Sequence, residues 1–172
     1  TIVPTREVSE EDLLKAVCLI NESKKVVLVL GGGACGSGDE ILKLVDSIGA
    51  MVLTTTAGKG VLDDNHPQVI SGGTVRAEAR EYLSKAELVI AIGTELAETD
   101  NYVGKYLIKG KIIRVDIDRK KINDNYPATI GLVGNAKEII QKLNAKLNNS
   151  VSYKQREIIE NEVIAINTQI EN

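Results

Sequence analysis

The chain has 172 residues, of which 43% are hydrophobic and 26% are charged, so it can bury the core of one globular domain. A formal net charge of −3 with interspersed signs, and five tyrosines as the only aromatic residues, exclude the footprint of a nucleic-acid-binding protein. No apolar run is long enough for a membrane span, no signal-peptide pattern is found, and two cysteines exclude a disulfide scaffold. We therefore expect a soluble cytoplasmic protein and, since the chain lacks an initiator Met, a fragment of a longer one.

The first part of the chain predicts a linker, a helix and a buried strand. Residues 1–8 form the predicted linker, and Ser9 is suited to cap a helix whose apolar side chains recur at helical spacing. The apolar run over 26–30 predicts a strand, which breaks into glycines. Ser37 is suited to cap a second helix over 39–48. This is the strand, turn and helix with which nucleotide-binding sheets begin.

The turn after this strand contains a glycine-rich fingerprint. Gly31, Gly33 and Gly36 satisfy G-x-G-x-x-G, in which glycine permits a positive φ and lets a phosphate approach helix amides. A dinucleotide-binding domain also places an acidic residue about 20 positions later, at the end of the second strand. The predicted second strand, 51–54, runs into Thr55 instead. The sequence therefore argues against a nicotinamide-dependent dehydrogenase.

The alternation of strands and helices continues to residue 147. A short apolar piece at 69–70 precedes a helix predicted from about 75 to 83. Further strands are predicted over 88–92, 111–115 and 129–133, and a helix follows that ends near Leu147. Strands this apolar, separated by helices, are typical of a parallel sheet that is covered on both faces.

The last predicted helix begins after residue 150 and carries one apolar stripe. The stripe consists of Ile159, Val163, Ile166 and Ile170, while charged residues occupy the other sides. We predict that this helix makes its main apolar contacts outside residues 9–147, on another domain or a second subunit, or is poorly ordered. Packing on its own domain is the alternative.

Short motifs at fixed spacings resemble one family. They are Gly31-Gly32-Gly33, 55–60, 64–67, Gly93-Thr94, 115–118 and 133–136. Together they are similar to the central domain of thiamine-diphosphate-dependent enzymes of the acetolactate synthase, pyruvate oxidase and benzoylformate decarboxylase group. The resemblance implies an α/β fold, a three-layer α/β/α arrangement with a six-stranded parallel sheet in the Rossmann-like order 3-2-1-4-5-6. It also implies a central domain over 9–149 and a linker helix over 150–172 toward a carboxy-terminal domain.

The same resemblance implies a function for the parent enzyme. The parent would be a thiamine-diphosphate- and magnesium-dependent 2-oxo-acid decarboxylase or carboligase, a lyase or transferase that forms a homodimer or homotetramer. In this family the amino-terminal domain supplies an activating glutamate, and the carboxy-terminal domain holds diphosphate and magnesium through a Gly-Asp-Gly signature that this sequence lacks. The partners of the central domain are these two domains of the same parent chain. No catalytic or metal-binding residue is predicted in the 172-residue chain itself.

The resemblance places any nucleotide in the crevice at the carboxyl ends of the strands. The candidate cofactor-binding residues are Gly31, Gly32, Gly33, Gly58, Lys59, Gly93, Thr94, Asp116 and Asp118. Some family members hold FAD there, others ADP, and others no nucleotide. Where flavin-binding members have arginines, this sequence has Glu95, Glu98 and Asp100, which would repel a diphosphate. FAD and ADP are therefore not favoured, and we expect a colourless protein.

Several conspicuous residues have structural alternatives to ligand binding. Asp118 is equally suited to cap the helical turn that follows it, and Lys59 can lie in a plain solvated turn. His66 precedes a proline and is interpreted as a turn residue. Cys35 is interpreted as a small residue that fills the glycine loop, and Cys18 as a packing residue of the first helix.

Two other functions stay open at this point. One is a stand-alone adenylate- or FAD-binding regulatory module, which a short parent reading frame would favour. The other is a NAD-dependent deacylase similar to sirtuins, which share the sheet topology. The second is disfavoured because the sequence has neither a paired-cysteine zinc module nor a histidine in the expected catalytic setting.

Overall fold

The computed structural model of the protein describes residues 8–96, 106–147 and 153–172. They form a parallel sheet of five strands in the order β2-β1-β3-β4-β5, with helices on both faces. The strands are β1 Val26–Leu30, β2 Met51–Thr54, β3 Leu88–Ile92, β4 Lys111–Asp116 and β5 Ile130–Val133. The helices are α1 Glu10–Glu22, α2 Gly38–Ile48, α3 Ala77–Lys85, α4 Ala136–Lys146 and α5 Tyr153–Glu171. The predicted α/β class with a parallel sheet is confirmed.

The prediction of six strands in the order 3-2-1-4-5-6 is wrong. The apolar piece at 69–70, the segment that a third of six strands would need, does lie beside β2, but it forms only one isolated parallel bridge, between Val52 and Val69. Directly after it, Gly72 and Gly73 take positive φ values of 74° and 59°. These left-handed residues turn the chain away from the sheet edge, so the segment does not extend into a strand.

The central strands are buried on both faces, as their continuous apolar sequences predict. All five residues of β1 and of β3 are buried, and the register runs from Val26 beside Leu88 to Leu30 beside Ile92. Alternate side chains of these strands belong to two apolar clusters, one shared with α1, α2 and α4 and the other with α3 and α5. The two strands therefore end at the same level, which places the loops that follow them next to each other.

The helix ends agree with the sequence at some positions and differ at others. The Ser9 hydroxyl accepts a hydrogen bond from the Asp12 N–H at 3.1 Å, which confirms the predicted cap of α1. Gly49 ends α2 in the left-handed conformation, with φ of 63°. Ser37 stands at the cap position of α2, but its side chain makes no capping hydrogen bond. Its buried hydroxyl therefore does not have the predicted role.

Helix α5 packs on the domain's own sheet, so the prediction that its main contacts lie outside residues 9–147 is wrong. Val163 is 1% exposed and belongs to the apolar cluster of β1, β2 and α3. The other residues of the stripe are partly buried against the same cluster: Ile159, Ile166 and Ile170. Helix α3 has only nine residues, too short to cover this sheet face alone. The apolar surface that it leaves is the surface that α5 covers.

Polar contacts at three points along α5 fix its position. The Arg156 guanidinium donates to the Asp46 C=O at 2.9 Å, and the Tyr82 hydroxyl donates to the Glu162 carboxylate. Near the other end, the Asn167 carboxamide accepts from the Ser71 N–H at 2.8 Å and donates to the Val69 C=O at 3.2 Å. Asn167 thus satisfies two backbone groups of the segment that lies beside β2.

We expect Asn167→Ala to lower the free energy of unfolding by about 1–3 kcal/mol, because it leaves a part-buried N–H and C=O without their partner. Urea denaturation followed by circular dichroism measures the loss. The control is Asn161→Ala, at an exposed position of the same helix, which should change stability by less than about 0.5 kcal/mol. Equal losses in the two variants would contradict the role given to Asn167.

Candidate functional site

The candidate site lies at the carboxyl ends of β1 and β3. The chain leaves β1 toward β2 on one side of the sheet, whereas β3 lies on the other side of β1. This is the switch point at which open parallel sheets bind ligands, in the crevice between the two diverging loops. Residues 31–34 and 93–96 face each other across it.

The loops after β1 and β3 are in direct backbone contact. The Gly31 N–H donates to the Ile92 C=O at 2.9 Å, and the Gly33 N–H donates to the Gly93 C=O at 3.0 Å. A Cβ on Gly31 would lie 2.4 Å from the Gly93 oxygen, and a Cβ on Gly93 would lie 2.4 Å from the Gly33 Cα. Glycine is therefore required here for close packing between loops, in addition to any role toward a ligand.

The turn after β2 rests on the end of β1. The Thr55 N–H donates to the Leu30 C=O at 2.9 Å, and a Cβ on Gly58 would lie 2.0 Å from the same oxygen. Lys59 follows on the exposed side of this turn. The structure thus brings Gly58 to the floor of the crevice and Lys59 to its rim.

On the opposite side, Thr94 is buried and holds the loop after β3. Its hydroxyl accepts a hydrogen bond from the N–H of Leu96, a residue with an unusual positive φ of 52°. Its carbonyl accepts from the Arg114 guanidinium at 3.0 Å. The hydroxyl and the carbonyl of Thr94 are therefore both engaged within the protein.

Arg114 is a buried residue of the site region that sequence reasoning missed. It is 1% exposed, and its guanidinium also donates to the carbonyls of Asp124 at 2.6 Å and Tyr126 at 3.2 Å. Burial lowers the pKa of this guanidinium, while the nearby carboxylates of Asp116, Asp124 and Glu95 oppose that shift. In the sequence, the sign of a buried arginine was its position as a single charged residue among the apolar residues of a strand. Arg114 joins the loop after β3 to the loop after β4.

The two aspartates after β4 form a chain of local hydrogen bonds. The Asp116 carboxylate accepts from the Asp118 N–H at 2.9 Å, and the Asp118 carboxylate accepts from the Lys120 N–H at 2.9 Å. Asp118 thus caps the helical turn Arg119–Lys121, which was the alternative to ligand binding. Both aspartates are partly exposed, so ligand contact stays a prediction for each.

The acidic segment after β3 is described only in part. Glu95 is exposed and pairs with Lys121, which raises the pKa of that lysine. Glu98 and Asp100, expected to repel a diphosphate, lie outside the described residues. Of the three carboxylates, Glu95 is therefore the one whose position beside the crevice is known.

Three other residues singled out from the sequence lie away from the crevice floor. His66 is in a turn, where its Nδ1 accepts from the Gln68 N–H at 3.1 Å. Cys35 is exposed at the glycine loop. Cys18 is also exposed, so its prediction as a packing residue is wrong. It lies one helical turn after Leu14, itself 51% exposed, on the solvent side of α1.

The residues of the crevice do not fit a metal-bound diphosphate. Within the described parts of the chain, no three His, Cys, Asp or Glu side chains are grouped so that they could hold a metal ion. The amides of Gly31, Gly33, Ala34 and Cys35 all donate to backbone carbonyls within residues 31–32 and 92–93. Carboxylates lie on the same rim, where they would repel phosphate oxygens.

Among the helices that are described, none combines the length and apolarity needed to cross a membrane.

Comparisons with known proteins assign the family. The model of the thiamine pyrophosphate enzyme central domain matches residues 13–143. The chain is 34% identical over 145 residues to a probable 2-ketoarginine decarboxylase of Pseudomonas aeruginosa, covering 84% of this chain and 26% of that protein. It is 30% identical over 159 residues to a probable acetolactate synthase large subunit of Methanococcus aeolicus, covering 90% of this chain and 26% of that protein.

A solved structure has the same fold. The X-ray structure of a Mycobacterium smegmatis protein, assigned as a thiamin diphosphate-dependent enzyme, superposes with a TM-score of 0.71 at 21% identity, covering 87% of this chain and 30% of that one. The chain thus spans about a quarter of the length of the curated relatives that it matches, 26% in both cases given above. The chain belongs to the family of thiamine pyrophosphate enzyme central domains, as its ordered motifs had indicated.

Proposed function

We propose that residues 9–149 act as the non-catalytic, structural central domain of a thiamine-diphosphate- and magnesium-dependent enzyme. The observation that supports this most is the closed packing of the loops after β1 and β3. The Gly33 N–H donates to the Gly93 C=O at 3.0 Å, and the Gly31 N–H donates to the Ile92 C=O at the end of β3. A crevice built this way stabilises the sheet and leaves few donors for a diphosphate. Residues 1–8 and 150–172 would connect the domain to its neighbours.

Thiamine diphosphate and magnesium would be held by the other domains of the parent chain. When bound, this cofactor supplies an electron sink for decarboxylation. The described residues of the present chain contribute no cluster of metal ligands. The amino- and carboxy-terminal domains are its proposed partners, and a homodimer or homotetramer is the proposed assembly.

A 2-oxo acid is the proposed substrate class of the parent. The two curated relatives described above carry names of a 2-keto acid decarboxylase and of an acetolactate synthase. Decarboxylase and carboligase reactions both begin with a 2-oxo acid, so the proposal covers both. The rim residues available to a nucleotide are Gly32, Gly33, Lys59, Asp116 and Asp118, and the floor residues are Gly31, Gly58, Gly93 and Thr94. With Glu95 and the two aspartates at that rim, FAD and ADP are not favoured there.

An activity assay tests the non-catalytic role. The purified 172-residue chain, given thiamine diphosphate and magnesium, should release no carbon dioxide from pyruvate or benzoylformate. It should also be colourless, since we do not expect bound flavin. An intact acetolactate synthase assayed in parallel is the positive control. Release of carbon dioxide above the cofactor-only background would overturn the proposal, and a yellow preparation would overturn the interpretation of the acidic rim.

A further inference from the structure

Helix α5 has an outer face, opposite its buried stripe, that carries no charge. Charged residues normally occupy the solvent side of a surface helix, and 26% of this chain is charged. Yet between Glu157 and Glu171 every exposed residue is uncharged, whereas Glu160 and Glu162 are partly buried at the sides. We call the exposed residues the α5 outer face: Ile158, Asn161, Ile164, Ala165, Thr168 and Gln169. This face is a candidate contact surface.

The middle of the α5 outer face permits the close approach of another helix. Asn161, Ala165 and Thr168 follow one another at helical spacing, so they form a row of short side chains along the helix. The Thr168 hydroxyl donates to the Ile164 C=O at 2.8 Å, so this polar group is already hydrogen-bonded within the helix. Ile158 and Ile164 flank the row and are 52% and 59% exposed. Both side chains would be stabilised by a second surface that covers them.

The two ends of the α5 outer face carry opposite charges. Lys154 precedes the face, Glu171 follows it, and both are exposed. The level of Val163 lies midway between them, about 12–14 Å along the helix axis from each. An antiparallel copy of the helix, centred at that level, brings the lysine of each copy to the glutamate of the other, whereas a parallel copy places lysine beside lysine. The face is therefore complementary to itself in the antiparallel orientation.

We propose that two copies of this chain associate through their α5 outer faces, antiparallel to each other about a two-fold axis. A two-fold dimer requires a surface that is complementary to itself, because each copy contributes the same residues. One helix face is smaller than the interfaces of stable complexes, which bury about 1,200–2,000 Å². We therefore expect a reversible dimer of the isolated chain.

The inference rests on the homo-oligomeric assembly proposed above and deepens it by naming a contact surface. It does not involve thiamine diphosphate. A monomeric chain would overturn the inference and leave the non-catalytic role of the domain unchanged, so the two failures can be told apart.

Sedimentation equilibrium of the 172-residue chain over a range of concentrations tests the dimer. The mean mass should rise with concentration from that of one chain toward that of two. Ala165→Lys should weaken association by about tenfold or more, because it brings two positive charges together at the centre of the contact. Ala145→Lys is the matched control, since it adds the same charge at an exposed alanine of α4 and should associate as the wild type does. A chain that stays monomeric into the millimolar range, or a dimer that the two variants affect equally, would overturn the proposal.

Charge reversal tests the antiparallel orientation. At low ionic strength, Lys154→Glu should weaken the dimer by about threefold to tenfold, because it places a carboxylate beside Glu171 of the other copy. Adding Glu171→Lys to the same chain reverses both ion pairs and should restore the wild-type affinity. Lys111→Glu, which changes the net charge equally at an exposed position of β4, should associate as the wild type does. A double variant as weak as Lys154→Glu, or an equal loss in Lys111→Glu, would overturn the proposal, and circular dichroism confirms that each variant is folded.

Discussion

Gly93→Ala should lower the free energy of unfolding by about 3 kcal/mol or more, since two separate costs add. Gly93 has a φ of 60°, which an alanine adopts only with strain. Its new Cβ would also lie 2.4 Å from backbone atoms of Gly33, so the two loops would have to separate. Urea denaturation monitored by circular dichroism gives the loss of stability, or shows that the variant does not fold.

Gly36→Ala is the control that separates the two costs. Gly36 also has a positive φ, 84°, but a Cβ placed there would meet nothing within 4 Å. It should therefore lose only the cost of backbone strain, about 1–2 kcal/mol. Equal losses at Gly93 and Gly36 would contradict the close contact between the loops after β1 and β3.

Arg114→Met should lower the free energy of unfolding by about 3 kcal/mol or more. The methionine fills part of the buried volume but donates no hydrogen bond. It leaves the carbonyls of Thr94, Asp124 and Tyr126 without the donor that now joins them. Arg114→Lys should restore only part of the loss, because an ammonium cannot reproduce the planar fork of donors.

Arg119→Met provides the matched control for this prediction. Arg119 is exposed in the turn after β4, so its replacement should change the free energy of unfolding by less than about 0.5 kcal/mol. Both variants can be compared by the midpoint of urea denaturation. Full stability in Arg114→Met, or full rescue by Arg114→Lys, would contradict the joining role of the arginine.

Three strands of the sheet could be predicted from the sequence to the residue. β1, β2 and β3 occupy the predicted ranges 26–30, 51–54 and 88–92, because each is a short apolar run ended by glycine or threonine. The sixth strand could not be excluded this way. Two apolar residues at 69–70 permit a strand, and only the left-handed turn at Gly72 and Gly73 shows why it stops at one bridge.

The surfaces on which the helices pack were harder to predict than the positions of the helices and strands in the chain. The stripe of α5 predicted an apolar contact, and Val163 makes one, but periodicity does not tell which surface a helix covers. Cys18 was interpreted as a packing residue of α1 and is exposed instead. How much of a helix surface is buried depends on the neighbouring helices, and this cannot be predicted from the periodicity of one sequence.

Some residues of the candidate site could be predicted from the sequence, and others could not. The positions of the glycines predicted the loops after β1 and β3, because the tight backbone contact between Gly33 and Gly93 has room only for glycine. Arg114 gave a weaker signal, a single arginine among the apolar residues of a strand. Its importance comes from burial and from partners that are distant in sequence, which only the folded chain reveals.

Calorimetric titration of the 172-residue chain with thiamine diphosphate in the presence of magnesium tests the central claim most directly. If the chain is a structural central domain whose cofactor site belongs to other domains, the titration should give only the heat of dilution. The folded state of the sample is checked separately by circular dichroism. Saturable binding with a micromolar dissociation constant would contradict the claim.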